Sequence, residues 1–234
     1  MEFKTIILLV IIIVFAIIIY YYISSDINTL TGLNSGQMMQ KINAADLGTP
    51  NIASNFTYSI WFNIDDWNVK YGYEKIIFGR MNSLTNSASN PRKPCPLVYL
   101  AQNENNIVIE MTDTASTVQT YTIENIPIQK WVFLMISVYG RTLDVYIDGK
   151  LVRTFVLPTV AKINQASDVY VTPDGGFSGW TTRFQYLGDA TNPQTAWDMY
   201  KKGYGGSLLG ELFGKYSIKL SLLENDKESS SLTV

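Results

Sequence analysis

The 234-residue chain has no histidine, one cysteine and no dense run of basic residues. Without histidine it lacks the commonest general base, the commonest pH switch near neutrality and the commonest zinc ligand. The lone Cys95 stands between Pro94 and Pro96. It can form no intrachain disulfide, and with no imidazole to activate it, it is a poor catalytic thiol. The missing disulfide mildly favours a reducing or intracellular setting. Eighteen basic residues against twenty acidic ones give a net charge of −2, which argues against nucleic acid as a partner. Asp66, Asp174 and Asp189 do not fall at the spacing of a calcium loop, so no metal site is expected, and no motif implies a cofactor.

Residues 5 to 23, TIILLVIIIVFAIIIYYYI, contain no charge, no proline and no glycine. As a helix, at ~1.5 Å per residue, this run covers ~28 Å, close to the hydrocarbon thickness of a bilayer. A transmembrane anchor is therefore expected over 5–23. Ile6 and Val14 lie within its apolar body, and Tyr20, Tyr21 and Tyr22 supply an interfacial belt. The run is longer than the apolar part of a cleaved signal and ends in tyrosines rather than small residues, so it reads as a retained signal-anchor. Lys4 before it and Asp26 after it lean toward a cytosolic N-terminus with the remainder translocated. The acceptor sequon Asn55-Phe56-Thr57 offers a check on that orientation.

About 210 residues follow the anchor, enough for one ordinary domain with its own core. Residues 24–50 are rich in Ser, Asn, Thr and Gly without sustained periodicity, and are expected to be a linker or stalk. From Asn55 the texture changes. Phe56, Tyr58, Ile60, Phe62 and Ile64 alternate with Thr57, Ser59, Trp61 and Asn63, the pattern of a strand with one buried face. Further strands are expected at 75–80, 96–102, 106–111, 117–123, 131–139, 142–147, 150–157, 168–172 and 180–187. Asp148-Gly149 joins two of them as a type I′ hairpin. Many short strands without alternating helices predict an all-β sandwich or jelly roll. The polar loop 82–96 interrupts it. Asn192-Pro193 opens one short helix that closes at Gly203, with Trp197 and Tyr200 turned to the sandwich. A C-terminal extension, 207–223, offers one more strand at 216–223, and 224–234 reads as a disordered polar tail.

The order of these signals resembles a known family. The strand FTYSIWFNI, the strand opened by Trp131, the hairpin LDVYIDGKLVRTF and the closing segment FSGWTTRFQYLGDATNPQTAWDMYKKG together resemble laminin-G-like, concanavalin A-like jelly rolls over roughly 52–205. The resemblance implies a jelly-roll domain over 51–206. The family's histidine after the tryptophan is absent here, and Thr181, Thr182 and Arg183 replace the acidic pair of its closing strand. Its calcium and sugar sites are therefore not carried over. The anchored layout is also similar to jelly-roll proteins of large DNA viruses.

Glycosidases of this architecture place two or three carboxylates along one strand. Here the nearest match is Glu110 and Asp113, whose spacing of three puts them on opposite faces, so catalysis is not expected. The candidate ligand-binding residues are aromatic: Trp61 on the face opposite the core, Trp67, Tyr71 and Tyr73 in the loop after it, and Trp180 near the Gly175-Gly176-Phe177 turn. The function that follows is a non-enzymatic, membrane-anchored structural protein. Its expected partners are a lipid bilayer and coat or capsid proteins, as in a minor capsid component linking a virion membrane to its shell. A membrane-displayed carbohydrate-binding, lectin-like adhesion module is the alternative, and a glycosidase comes third.

Overall fold

The computed structural model describes Ile13, Phe15 and residues 29–48, 54–87, 91–205, 219–224 and 227–233, the last two stretches as backbone. The expected anchor, with Ile6, Val14, Tyr20, Tyr21 and Tyr22, lies outside the described residues apart from Ile13 and Phe15, both helical. Among the described residues no helix is long and apolar enough to cross a membrane.

The alternating strand of the sequence is the centre of one sheet. β1 (Thr29–Thr31), β2 (Asn34–Ser35), β4 (Phe56–Asp66), β9 (Trp131–Tyr139), β10 (Thr142–Ile147), β11 (Lys150–Val156) and β13 (Ser178–Leu187) form a seven-stranded antiparallel sheet in the order β1-β13-β4-β9-β10-β11, with β2 also on β13. The second sheet has six strands, β3 (Gln40–Ile42), β12 (Val169–Val171), β5 (Lys75–Arg80), β6 (Leu97–Leu100), β7 (Ile107–Thr112) and β8 (Val118–Ile123), in the order β3-β12-β5-β6-β7-β8.

Between the sheets lies the core. Phe56, Tyr58, Ile60, Phe62 and Ile64 of β4 and Val132, Leu134, Ile136 and Val138 of β9 face Ile77, Val98, Leu100, Ile107, Ile109, Val169 and Val171. Register places Ile60 opposite Leu134 on one side and Tyr58 opposite Tyr186 on the other. Each such side chain, buried in full, contributes roughly 1.5–3 kcal/mol. The β10–β11 hairpin turns at Asp148 and Gly149, with φ of 49° and 75°, as its Asp-Gly signal requires. Gly149 is needed twice over, since a Cβ there would lie 2.9 Å from the Tyr200 side chain.

A single α-helix among the elements of this sandwich, α1 (Pro193–Lys201), starts where the sequence predicts: the Asn192 side chain accepts from Thr195 N at 2.9 Å, and Pro193 occupies the first turn. Gly203, φ 70°, closes it by donating to Tyr200 O. The helix covers part of the outer face of the seven-stranded sheet, where Ala196, Met199 and Tyr200 pack on Trp61, Phe133, Met135 and Tyr146.

Two sequence expectations are corrected. The described part of the expected stalk, 29–48, gives β1 and β2 to one sheet and β3 to the other, and the compact unit runs over Asn28–Tyr204 rather than 51–206. Strands of two or three residues carry too few side chains to show a period, so nothing in their sequence marks them. The expected disordered tail contains a strand as well. β14 (Lys219–Glu224) and β15 (Lys227–Thr233) pair as a separate two-stranded hairpin, grouped apart from the sandwich.

Candidate functional site on the outer face of the seven-stranded sheet

The five aromatics singled out in the sequence fall in three places. Trp61 does lie on the non-core face of β4, but it is only 5% exposed. Its ring stacks on Tyr200 of α1, centroids 5.5 Å apart and planes at 18°, and tilts against Phe133. The expected open platform at this position is roofed by the helix. Alternation tells which face a residue is on and not what later covers that face. Trp67 is half-buried against the main core, with Lys75 Nζ over its ring. Tyr71 and Tyr73 are exposed in the loop between β4 and β5, which is fastened by Lys70 reaching Asp174 and by Gly72 N donating to Gln102 O. Of the five, Trp180 is the one half-exposed indole on the outer face.

Strand register gives Trp180 two neighbours that the sequence reading missed. It lies directly opposite Asn63 of β4, which lies opposite Trp131 of β9. These three side chains form a row across three strands. The Asn63 Oδ1 is buried and has no hydrogen-bond partner, an arrangement that costs about 1–3 kcal/mol. Trp131 stacks on Tyr204, centroids 4.8 Å apart and planes at 9°, and Tyr204 is 44% exposed. Beyond it Trp197 and Tyr200 wall a hollow of about 390 Å³ with Ile147, Asp148, Lys150 and Val152. Tyr204 and Trp197 are thus continuous with the packed aromatic layer beneath α1, while Trp180 stands apart from it across Asn63. Asn63 carried a sequence signal, since it stands two residues from Trp61 on the same strand face. Trp131 carried one only through its pairing with β4.

The carboxylates do not form a catalytic pair. Asp113 is buried and accepts from Thr117 N and Gln119 Nε2 in its own turn. Glu110 accepts from the Tyr99 hydroxyl at 3.1 Å and lies 3.9 Å from Arg92, whose Nη2 also meets Glu74 at 3.2 Å. Arg92 thus lies between Glu110 and Glu74 and engages both, so neither stands free across a cleft from a second carboxylate as glycosidic cleavage requires. Burial, with Glu110 second, pushes the Tyr99 phenol well above its ordinary range. Cys95 is 2% exposed, and burial pushes its thiol up to about 12. Asp66 accepts from Asn68 N, Asp174 from Lys70, and Asp189 from Ala190 N, and among the described residues no group of three acidic, cysteine or histidine side chains is placed to hold a metal. The sequon asparagine, Asn55, is 3% exposed and accepts from Gly140 N.

Comparison with known proteins agrees with this architecture. No curated protein matches the chain. Among solved structures, the binding domain of botulinum neurotoxin serotype G superposes with a TM-score of 0.51 at 16% identity, over 73% of this chain and 46% of that one. The receptor-binding domain of the botulinum neurotoxin C/D mosaic serotype gives 0.52 at 16%, over 75% and 45%. That of botulinum neurotoxin D gives 0.51 at 13%, over 72% and 47%. The chain therefore spans less than half the length of these structures, and at such identities the likeness is one of fold. The Laminin_G_3 profile matches residues 36–192, more than half of the chain, and the chain belongs to that family of the concanavalin A-like lectin/glucanase superfamily.

Proposed function

We propose that this chain is a non-enzymatic, membrane-tethered binding module that fastens a bilayer to an overlying protein layer, such as the shell of a large virus particle. Residues 5–23 serve as the anchor, and the jelly roll contacts the partner. One observation carries the reading: the half-exposed Tyr204, stacked on Trp131 and against Trp61 of the packed aromatic layer, and the half-exposed Trp180, across Asn63 from Trp131, lie on the same outer sheet face. Broad faces of Tyr and Trp on a rigid support are the common anatomy of protein interfaces, whereas small ligands select enclosed pockets. The arginine-bracketed carboxylates and the inert thiol give no support to an enzyme.

Crosslinking mass spectrometry on the full-length protein in its native membrane or particle tests the proposal. Reproducible crosslinks from Lys130, Lys201 and Lys202, which flank the aromatic face in sequence, to one abundant partner protein are expected. Crosslinks confined to the chain itself end the scaffold reading.

A lectin-like display module is the second reading, and Tyr71 and Tyr73 favour it. Both rings are exposed, at 57% and 69%, at one end of the sandwich. A glycan array probed with the full-length protein tests it, with Tyr71→Ala and Tyr73→Ala as controls that abolish any true signal.

A further inference from the structure

We propose that β8 is a self-pairing edge, through which two copies of this chain join their six-stranded sheets about a two-fold axis. The inference goes beyond the proposed function and does not depend on it. Of the outer edges of the two sheets, all but one are blunted among the described residues. β1, β2 and β3 are strands of two or three residues, and β11 carries Lys150, Arg153 and a bulge at Val152. Short strands, charges and bulges are the usual devices that keep an edge from pairing. β8 has none of them. Val118–Ile123, VQTYTI, is the last strand of its sheet, runs six residues in unbroken register with β7, and contains no charge, proline or glycine.

Backbone direction shows what this edge accepts. Asp113 N donates to Thr117 O at 3.0 Å in the β7–β8 turn. Alternation along an antiparallel ladder then aims the N–H and C=O of Gln119, Tyr121 and Ile123 at β7, and those of Val118, Thr120 and Thr122 outward. Among the described residues these three outward pairs take part in no hydrogen bond, and they match an extended strand. Charge selects which strand. Four residues before Thr120, Ser116 Oγ accepts from Lys162 Nζ at 3.3 Å, and four residues after it Glu124 is exposed. Neither Lys162 nor Glu124 belongs to an ion pair among the described residues. An antiparallel copy centred on Thr120 pairs Thr120 with its own equivalent and Val118 with Thr122, so that every outward residue exchanges hydrogen bonds. The same register sets Glu124 of each copy opposite Ser116 of the other, where Lys162 stands. A shift of two residues either way moves each carboxylate off the lysine and sets Val118 or Thr122 against a residue outside the strand. Such an edge is self-complementary, as a two-fold interface requires. A foreign strand must bring the same two charges at this spacing, which a second copy already carries.

One pair of six-residue strands is smaller than a standard interface, so the test traps it covalently. Full-length protein is oxidised in detergent, with micelles in excess over chains. Thr120→Cys is expected to form a disulfide-linked dimer about tenfold faster than Thr114→Cys, which is exposed in the neighbouring turn, because pairing raises the effective thiol concentration. Facing Cα atoms of a hydrogen-bonded pair, ~5.5 Å apart, suit a disulfide. Cys95, 2% exposed, does not compete. Val118→Cys and Thr122→Cys each link slowly alone, since four residues of strand, ~14 Å, separate each from its own equivalent, but a mixture of the two links fast. Thr120→Pro removes one outward N–H without touching the β7 ladder, and it abolishes linkage in that mixture. Charge reversal decides the matter even if the proline variant unfolds: Glu124→Lys slows the Thr120→Cys reaction, and adding Lys162→Glu restores its rate. Equal rates for Thr120→Cys and Thr114→Cys overturn the proposal, and a foreign strand seated on β8 in place of a second copy gives that result. Val118→Cys linking to itself as fast as to Thr122→Cys also overturns it, as does a reversed charge pair without rescue.

Discussion

The Nζ of Lys75 lies 4.5 Å from the ring centre of Trp67 and donates to Gln102 O at 3.2 Å, inside a side chain that is fully buried. A lysine so enclosed, with no carboxylate paired to it among the described residues, pays a desolvation cost that a carbonyl and an indole face only partly offset. Burial, and the nearby Lys70 second, lower its pKa from the ordinary value. Lys75→Met keeps the length of the side chain and its contact with Trp67 while removing the charge, so stability at neutral pH rises by about 1 kcal/mol. The advantage has a defined pH course. Between the lowered folded-state value and the unfolded-state value near ~10.4, the unfolded wild-type chain binds more protons than the folded one. Wild-type stability therefore gains from this group across that window, and the lead of the variant shrinks as pH rises through it. Paired chemical denaturation of both proteins from neutral to alkaline pH measures the gap. A constant gap shows that the Lys75 ammonium titrates alike in the folded and unfolded chains, which overturns the burial cost argued here.

Trp61 and the exposed tyrosines separate packing from binding. Trp61→Ala removes a ring that stacks on Tyr200 and touches Phe133, and it opens a cavity beneath α1. Loss of about 3–5 kcal/mol is expected, read as a lowered denaturation midpoint. Tyr71→Ala and Tyr73→Ala, on exposed loop positions, shift the midpoint by no more than ~0.5 kcal/mol. Helix loss in the Trp61 variant, seen in far-ultraviolet circular dichroism, identifies the α1 contact as the part that fails.

Much of the sandwich was legible because its long strands bury one face. The alternation of Phe56 to Ile64, the Asp148-Gly149 turn and the Asn192-Pro193 cap each have a local physical cause, and each appears where that cause puts it. β1, β2 and β3 were not legible, because Thr29–Thr31, Asn34–Ser35 and Gln40–Ile42 are strands only through partners more than a hundred residues away. The candidate site was half legible. Trp180 stands out by its bulk, but its neighbours Asn63 and Trp131 become neighbours only once β13, β4 and β9 are in register. The burial of Trp61 was not legible, because α1, which begins about 130 residues further along the chain, covers it.

Gly179 holds that register at its closest point. With φ at 150° and Asn63 O at 1.9 Å from any Cβ, substitution forces β13 away from β4 beside the row. Gly179→Ala is expected to cost about 3 kcal/mol or to prevent folding. Gly32→Ala is the control, since a Cβ there meets nothing within 4 Å and its backbone is not left-handed. Equal midpoints for the two variants in urea denaturation refute the backbone contact.

Cys95 reports on the long polar loop that carries it. The thiol is 2% exposed and burial raises it to about 12, so at pH 8 only about 10⁻⁴ of it is thiolate, the form that attacks a disulfide reagent. Its backbone N–H donates to Arg80 O, and Arg80 in turn donates to Ser167 O and Gln165 O, which ties the loop to the end of the six-stranded sheet. Native protein mixed with an aromatic disulfide is therefore expected to release almost no thiolate chromophore, and to release one equivalent when urea unfolds it. Because a single cysteine is present, the rate below the unfolding transition measures how often this loop and its arginine contacts open. An Arg80→Lys variant loses the forked donation to Ser167 and Gln165, so it should label faster than wild type well before global unfolding. Fast labelling of the unmodified chain in the absence of urea means that the loop is not held in this way.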